Sequence, residues 1–94
     1  MEKIQTTLSS PHCAKYLVTL CRHFARKVPA EWDEYSGEVT FAMGTCRFSL
    51  GHEGQQLDVL CEAENKENLH MVRQIIEHHL TMFSRRETLA VKWQ

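Results

Sequence analysis

The spacing of the apolar residues changes twice along the chain, and this constrains the fold more than any other feature. Over residues 13–24 the apolar residues recur every three or four positions, as on one face of an amphipathic helix. Over residues 39–61 they alternate with polar residues, as in half-buried strands. Over residues 69–83 the helical spacing returns. The pattern predicts two helices separated by an antiparallel meander.

Local residues indicate where the two helices begin and end. Ser10 followed by Pro11 combines a capping hydroxyl with a backbone angle that suits the first helical position. Asn65 is an equally good cap for the second helix. We therefore expect helices over residues 11–28 and 66–84.

Further strands are expected outside the meander. We predict one around Ile4 and Thr6, one at Trp32 and a closing strand at Leu89, Val91 and Trp93, because each lies in a short apolar or aromatic segment. The element order is then β-α-β-β-β-β-α-β. This order predicts an α+β fold, a two-layer sandwich in which one antiparallel sheet carries both helices on a single face. Residues 1–94 form a single domain in this interpretation. Hairpin turns are expected at three places: Ser36-Gly37, Gly44 and Gly51 to Gly54.

Composition narrows the classes of function. The formal net charge is -1, so the chain has no large positive field with which to attract nucleic acid or anionic lipid. No window approaches the ~20 apolar residues of a membrane span, and the first residues show no leader pattern. We expect a cytoplasmic protein that is a monomer or a weak homodimer, without nucleic-acid or membrane partners.

The chain contains four cysteines, an even number that is compatible with two disulfides. They are scattered, lie within the apolar patterns and form no Cys-x-x-Cys pair. We expect reduced, buried thiols that act as small core residues.

Histidine offers the main candidate chemistry. His79 lies in the apolar stripe of the second helix, where a neutral imidazole can pack in the core or bind a metal. His12 and His23 share one face of the first helix but stand ~16 Å apart, so one metal cannot bind both. If the helices are antiparallel, His12 approaches His79 and His23 lies nearer His70. No spacing typical of a zinc site is present.

The arginines at the end of the second helix allow two interpretations of their role. Arg86 and Glu87 follow Arg85, and the group could bind an anion or be a solvated helix end whose cations suit the helix dipole. The sequence contains no Gly-x-Ser-x-Gly elbow and no phosphate-binding loop. We therefore predict no catalytic residue, no metal site and no cofactor.

Several short motifs resemble an uncharacterised bacterial domain family of about 90 residues. The resemblance covers nearly the whole chain, with departures at Arg26, Met82 and Arg85. The residues that carry it are Lys15-Tyr16-Leu17, Leu20-Cys21-Arg22-His23, Lys27, Gly44-Thr45-Cys46, His79-Leu80, Phe83, Arg86-Glu87 and Trp93.

The resemblance implies a link to iron. Members of that family occur alone or fused to siderophore-interacting flavoproteins, which reduce ferric siderophores with a nicotinamide cofactor. It therefore implies that the partner is such a reductase or a ferric siderophore. The polar parts of the family-like motifs supply the expected ligand-binding residues: His23, Lys27, His79, Arg86 and Glu87.

Two classes of function remain open from the sequence. We favour a non-catalytic binding or accessory module, which the resemblance links to siderophore and iron handling. The alternative is a small metal- or haem-binding protein, or an enzyme, that uses His79 with His12 or His23. The visible spectrum and metal content of the purified protein would discriminate between them.

Overall fold

A computed structural model describes residues 1–84 and 91–94 of the chain. Its elements follow one another as strands, two helices and one short 3-10 turn. Their bounds are β1 Glu2–Ser9, α1 Cys13–Phe24, β2 Ala30–Trp32, β3 Ser36–Phe41, β4 Gly44–Gly51, the 3-10 turn His52–Gly54, β5 Gln56–Ala63 and α2 Lys66–Phe83.

The five strands form one sheet in the order β1-β5-β4-β3-β2, and every neighbouring pair is antiparallel. α1 connects the two edge strands and lies over β2 and β3, whereas α2 lies mainly over β5 and also contacts β1 and β4 on either side of it. Both helices cover the same face, because the inward residues of the strands and the apolar stripes of the helices form one core. The predicted α+β sandwich is confirmed.

The core follows the predicted periodicities closely in the strands. The buried strand residues alternate with residues that are exposed or only partly buried. The buried ones are Val39, Cys46, Phe48, Leu57, Val59 and Cys61. Burying such alternate residues against two helices is what stabilises a sheet with one covered face.

The buried stripe of α2 differs in part from the one that the sequence predicts. The predicted stripe consists of Leu69, Val72, Ile76, His79 and Phe83, with Ile75 and Leu80 beside it. Val72, Ile76 and Leu80 are the fully buried residues, at a spacing of one helical turn each, and His79 and Phe83 lie at the margin of the stripe, half-buried. The sequence pattern could not locate this margin, because apolar residues also lie beside the stripe.

The helix ends show one confirmed prediction and one correction. Asn65 caps α2 as predicted, since its side chain accepts a hydrogen bond from the backbone N–H of Asn68 at 2.8 Å. α1 starts two residues later than its expected start at 11, because the Ser10 hydroxyl accepts from the N–H of His12 and so closes a turn that precedes the helix. Beyond α1, backbone bonds to the carbonyl of Phe24 continue turn geometry as far as Val28.

One predicted turn is also misplaced. Ser36 and Gly37 lie within β3, and the reversal occurs just before them, at Asp33 to Tyr35. The Asp33 carboxylate accepts hydrogen bonds from the N–H groups of Tyr35 and Ser36, at 2.7 and 2.8 Å, and so builds the turn without glycine.

The predicted closing strand is only partly described. None of residues 91–94 is in a strand, but Gln94 exchanges two backbone hydrogen bonds with Gln5 on the outer edge of β1. Leu89, which the prediction also included, lies outside the described residues. Within residues 1–84 and 91–94, no helix combines the length and apolar character needed to cross a membrane.

All four cysteines are buried and reduced, as predicted. Cys46 and Cys61 face each other across β4 and β5 with their sulfur atoms 3.7 Å apart. The N–H of Leu50 in β4 donates to the carbonyl of Tyr35, in the turn before β3. Because backbone groups alternate in direction along a strand, the even-numbered residues of β4 point their N–H and C=O groups toward β3 and away from β5. Cys46 and Cys61 therefore form a non-hydrogen-bonded pair, in which side chains approach closely.

Candidate functional site

The last turn of α1 and the last turns of α2 meet at one end of the helix layer. The ring centroids of His23 and His79 are 4.9 Å apart, and that of Phe83 lies 5.5 Å from His23. Phe24 packs beneath them, 4.6 Å from His79 and 5.2 Å from Phe41 at the end of β3. We call His23, Phe24, Lys27, His79 and Phe83 the imidazole face.

The pairing of His79 with His23 corrects the expectation drawn from antiparallel helices. His12 lies at the far end of α1 with its ring against Tyr16, and His70 contacts Arg73. The first half of α2 instead crosses the sheet near the β3–β4 hairpin, where Val72 lies against Gly44. Its last turns therefore reach the end of α1. The antiparallel direction of the two helices was therefore not enough to predict where α2 crosses the sheet.

His79 is held in one orientation by its own helix. Its Nδ1 lies 2.7 Å from the carbonyl oxygen of Ile75, one turn earlier. A carbonyl only accepts hydrogen bonds, so Nδ1 carries a proton and donates it. In the neutral ring the lone pair is then on Nε2, the atom free to bind a ligand or accept a proton.

The surroundings of His23 favour its neutral form. Partial burial is the main cause that lowers its pKa below the ordinary value for histidine, and the adjacent His79 and the cations of Arg26 and Lys27 lower it further. At neutral pH the imidazole face therefore combines an uncharged ring at His23 with positive charge close by, a combination that suits aromatic or anionic ligands.

The predicted site residues divide into two groups. His23 and His79 are in ring contact, and Lys27 follows them on the exposed turn after α1. Arg86 and Glu87 lie outside the described residues. The sequence reasoning did not assign a site role to Phe24, whose helical spacing marked it only as a core residue.

No metal centre is formed by the described part of the chain. Within residues 1–84 and 91–94, no group of three or more His, Cys, Asp or Glu side chains is placed to hold a metal ion. The His23–His79 pair could supply at most two protein ligands to a metal there.

One solved structure with the same fold is the NMR structure of PA4090 from Pseudomonas aeruginosa. Its TM-score to this chain is 0.82 at 20% sequence identity, and the match covers 100% of this chain and 96% of that one. At this identity the likeness shows the fold alone. A comparison with curated proteins gives no match.

A family model matches residues 5–94, which is almost the whole chain. Its description is "Uncharacterized protein conserved in bacteria (DUF2218)". This agrees with the resemblance drawn from the sequence motifs, as far as an uncharacterised bacterial family of about 90 residues is concerned. The chain therefore belongs to the DUF2218 family of uncharacterized proteins conserved in bacteria.

Proposed function

We propose that the protein is a non-catalytic binding module that takes up a ferric siderophore, or the reductase that carries one, at the imidazole face. The observation that carries the proposal is the half-buried pair of rings at His23 and His79, which pack tilted or edge-to-face against phenylalanines and are bordered by Arg26 and Lys27.

The chemistry of a catecholate siderophore matches this surface. Its ferric complex is an anion whose outer surface consists of aromatic rings. Aromatic side chains recognise such rings by edge-to-face or offset contacts, and nearby cations favour the negative charge. The imidazole face offers both, with rings at His23, His79 and Phe83 and cations on the turn after α1.

A binding role is also the simpler proposal for the two imidazoles. A histidine that activates a side-chain nucleophile lies within hydrogen-bond reach of that Ser, Cys or Thr, and a third group orients its ring. In the described residues, the contacts of His23 and His79 are with aromatic rings and with the carbonyl of Ile75. The reductase, in this proposal, supplies the electron transfer.

The proposal can be tested by NMR titration with a gallium(III) tris-catecholate, a diamagnetic analogue of the ferric complex. We expect amide shifts confined to residues 22–28 and 78–84, saturating at micromolar concentrations as for a small, transient interface. Lys27→Gln should weaken binding. Lys15→Gln, which removes the same charge at the other end of α1, should not. An absence of shifts in both segments at millimolar ligand would refute the proposal.

A second candidate, metal or haem ligation, is favoured by the orientation of His79. The Ile75 carbonyl holds Nδ1, which leaves Nε2 as the ligating atom. His79→Phe separates the two candidates, because it keeps an aromatic ring but removes the nitrogen. Loss of Zn²⁺ or haem binding in His79→Phe would support ligation, whereas retained catecholate binding would support the aromatic-anion site.

A further inference from the structure

A recess lies at the opposite end of α1 from the imidazole face. Its volume is about 630 Å³, within the range of small-molecule pockets. Most of its surface is apolar. The residues that line it are Ala14, Val18, Glu34, Tyr35, Leu50, Gly51, Glu53 and Gly54. Ala14 and His23 are nine residues apart on the helix, about 13 Å along its axis, so the two sites are separate.

Three hydrogen bonds hold the backbone around this recess in place. Tyr35 is fixed on one side by its bond to the Asp33 carboxylate and on the other by the N–H of Leu50, which donates to its carbonyl at 2.8 Å. The connection from β4 to β5 is tied to the start of α1, since the N–H of Ser10 donates to the carbonyl of Gln55 at 2.9 Å. The recess is therefore formed before any ligand binds.

Backbone strain is concentrated at the same place. His52 and Glu53 have φ values of 49° and 57°, in the left-handed region that residues with side chains rarely adopt, and Gly54 follows at 88°. Strain of this kind persists where the surrounding structure imposes it, and it is often found at binding sites. Here it presents Glu53 at the border of the recess.

The charged residues that line the recess are both acidic. Glu34 and Glu53 are its charged lining residues, and within the described ranges 1–84 and 91–94 neither is in an ion pair. Tyr35, which is 70% exposed, lines the recess together with the two glutamates. An aromatic ring face and carboxylates both attract cations.

We propose that this recess binds a small organic cation, an amine that carries an aromatic or alkyl body. The body occupies the apolar floor formed by Ala14, Val18 and Leu50, and the ammonium group lies between the two carboxylates and the ring of Tyr35. Neither the family description nor the sequence motifs assign a role to these residues.

The test uses three probes of nearly equal shape and different charge: phenethylammonium, phenethyl alcohol and hydrocinnamate. In NMR titrations we expect millimolar binding of the cation, with amide shifts at Tyr35, Gly51 and Gly54, weaker shifts with the alcohol and none with the anion. Glu53→Gln should weaken binding of the cation about threefold, and the double variant with Glu34→Gln about tenfold.

Matched variants separate the proposed contacts from general effects of charge or folding. Glu67→Gln removes the same charge in the first turn of α2 and should leave the affinity unchanged. Tyr35→Phe should retain binding and Tyr35→Leu should lose it; Tyr35 is exposed, so both are expected to fold. The proposal would be overturned if the anion caused shifts equal to those of the cation. It would also be overturned if the cation caused no shifts at a concentration 20-fold above the expected millimolar Kd. An unchanged affinity in the double glutamine variant would also overturn it.

Discussion

Replacing His79 by alanine tests whether its ring is part of the packing that joins the two helices. The ring contacts Phe24, His23 and Phe83, and its Nδ1 donates to the carbonyl of Ile75. Loss of a half-buried ring costs about 1–2 kcal/mol in packing, and loss of the hydrogen bond about 0.5 kcal/mol more, since the carbonyl keeps its helical partner. The higher helix propensity of alanine offsets about 0.5 kcal/mol.

The net expectation for His79→Ala is a loss of about 1.5 kcal/mol in the free energy of unfolding, or about 8 °C in Tm for a domain of this size. His79→Phe is the matched control. It keeps the ring contacts and should remain within about 0.5 kcal/mol of the parent protein. Urea denaturation followed by circular dichroism measures both. An alanine variant as stable as the parent, or a phenylalanine variant as unstable as alanine, would refute the packing role.

Three further predictions concern the core, the thiols and pH. Gly44→Ala should destabilise the protein by about 2 kcal/mol in urea denaturation, because the new Cβ would overlap the backbone oxygen of Glu62; an unchanged midpoint would contradict this close approach. The four thiols should react slowly with a bulky reagent until denaturant is added, because burial occludes them and raises the pKa of Cys21 to about 11; fast reaction of the native protein at pH 8 would count against it. Because the pKa of His23 is lowered on folding, the unfolded chain binds more protons below pH ~6.5, so stability should fall as the pH decreases from that value. His23→Gln should lose less stability than the parent between pH 7 and pH 5, and an equal loss would argue against the lowered pKa.

Periodicity predicted the fold because burial has a simple repeat in each element. The alternation around Phe48 and Val59 and the helical stripe around Leu17 are local properties of the sequence, and the core contains them as expected. The position of the turn before β3 was predicted wrongly, because hydrogen bonds to the Asp33 side chain form this turn and such bonds do not produce a repeating pattern of apolar residues.

The candidate site was only partly predictable for a different reason. The stripe of α2 indicated His79, and the family-like motif indicated His23, but their contact depends on how α2 crosses the sheet. That crossing is set by packing between distant residues, such as Val72 against Gly44. The recess at Tyr35 and Glu53 had no sequence pattern, because three separate segments of the chain form it.

The most direct test of the central claim is the affinity of the imidazole face for an aromatic anion. We expect calorimetric titration with gallium(III) tris-catecholate to give a micromolar Kd for the parent protein. The double variant Arg26→Gln, Lys27→Gln should bind about tenfold more weakly, because two exposed cations each contribute about 0.7 kcal/mol at most. Lys15→Gln should bind like the parent. An undetectable affinity in the parent protein, or the same Kd in the double variant, would contradict the proposed function.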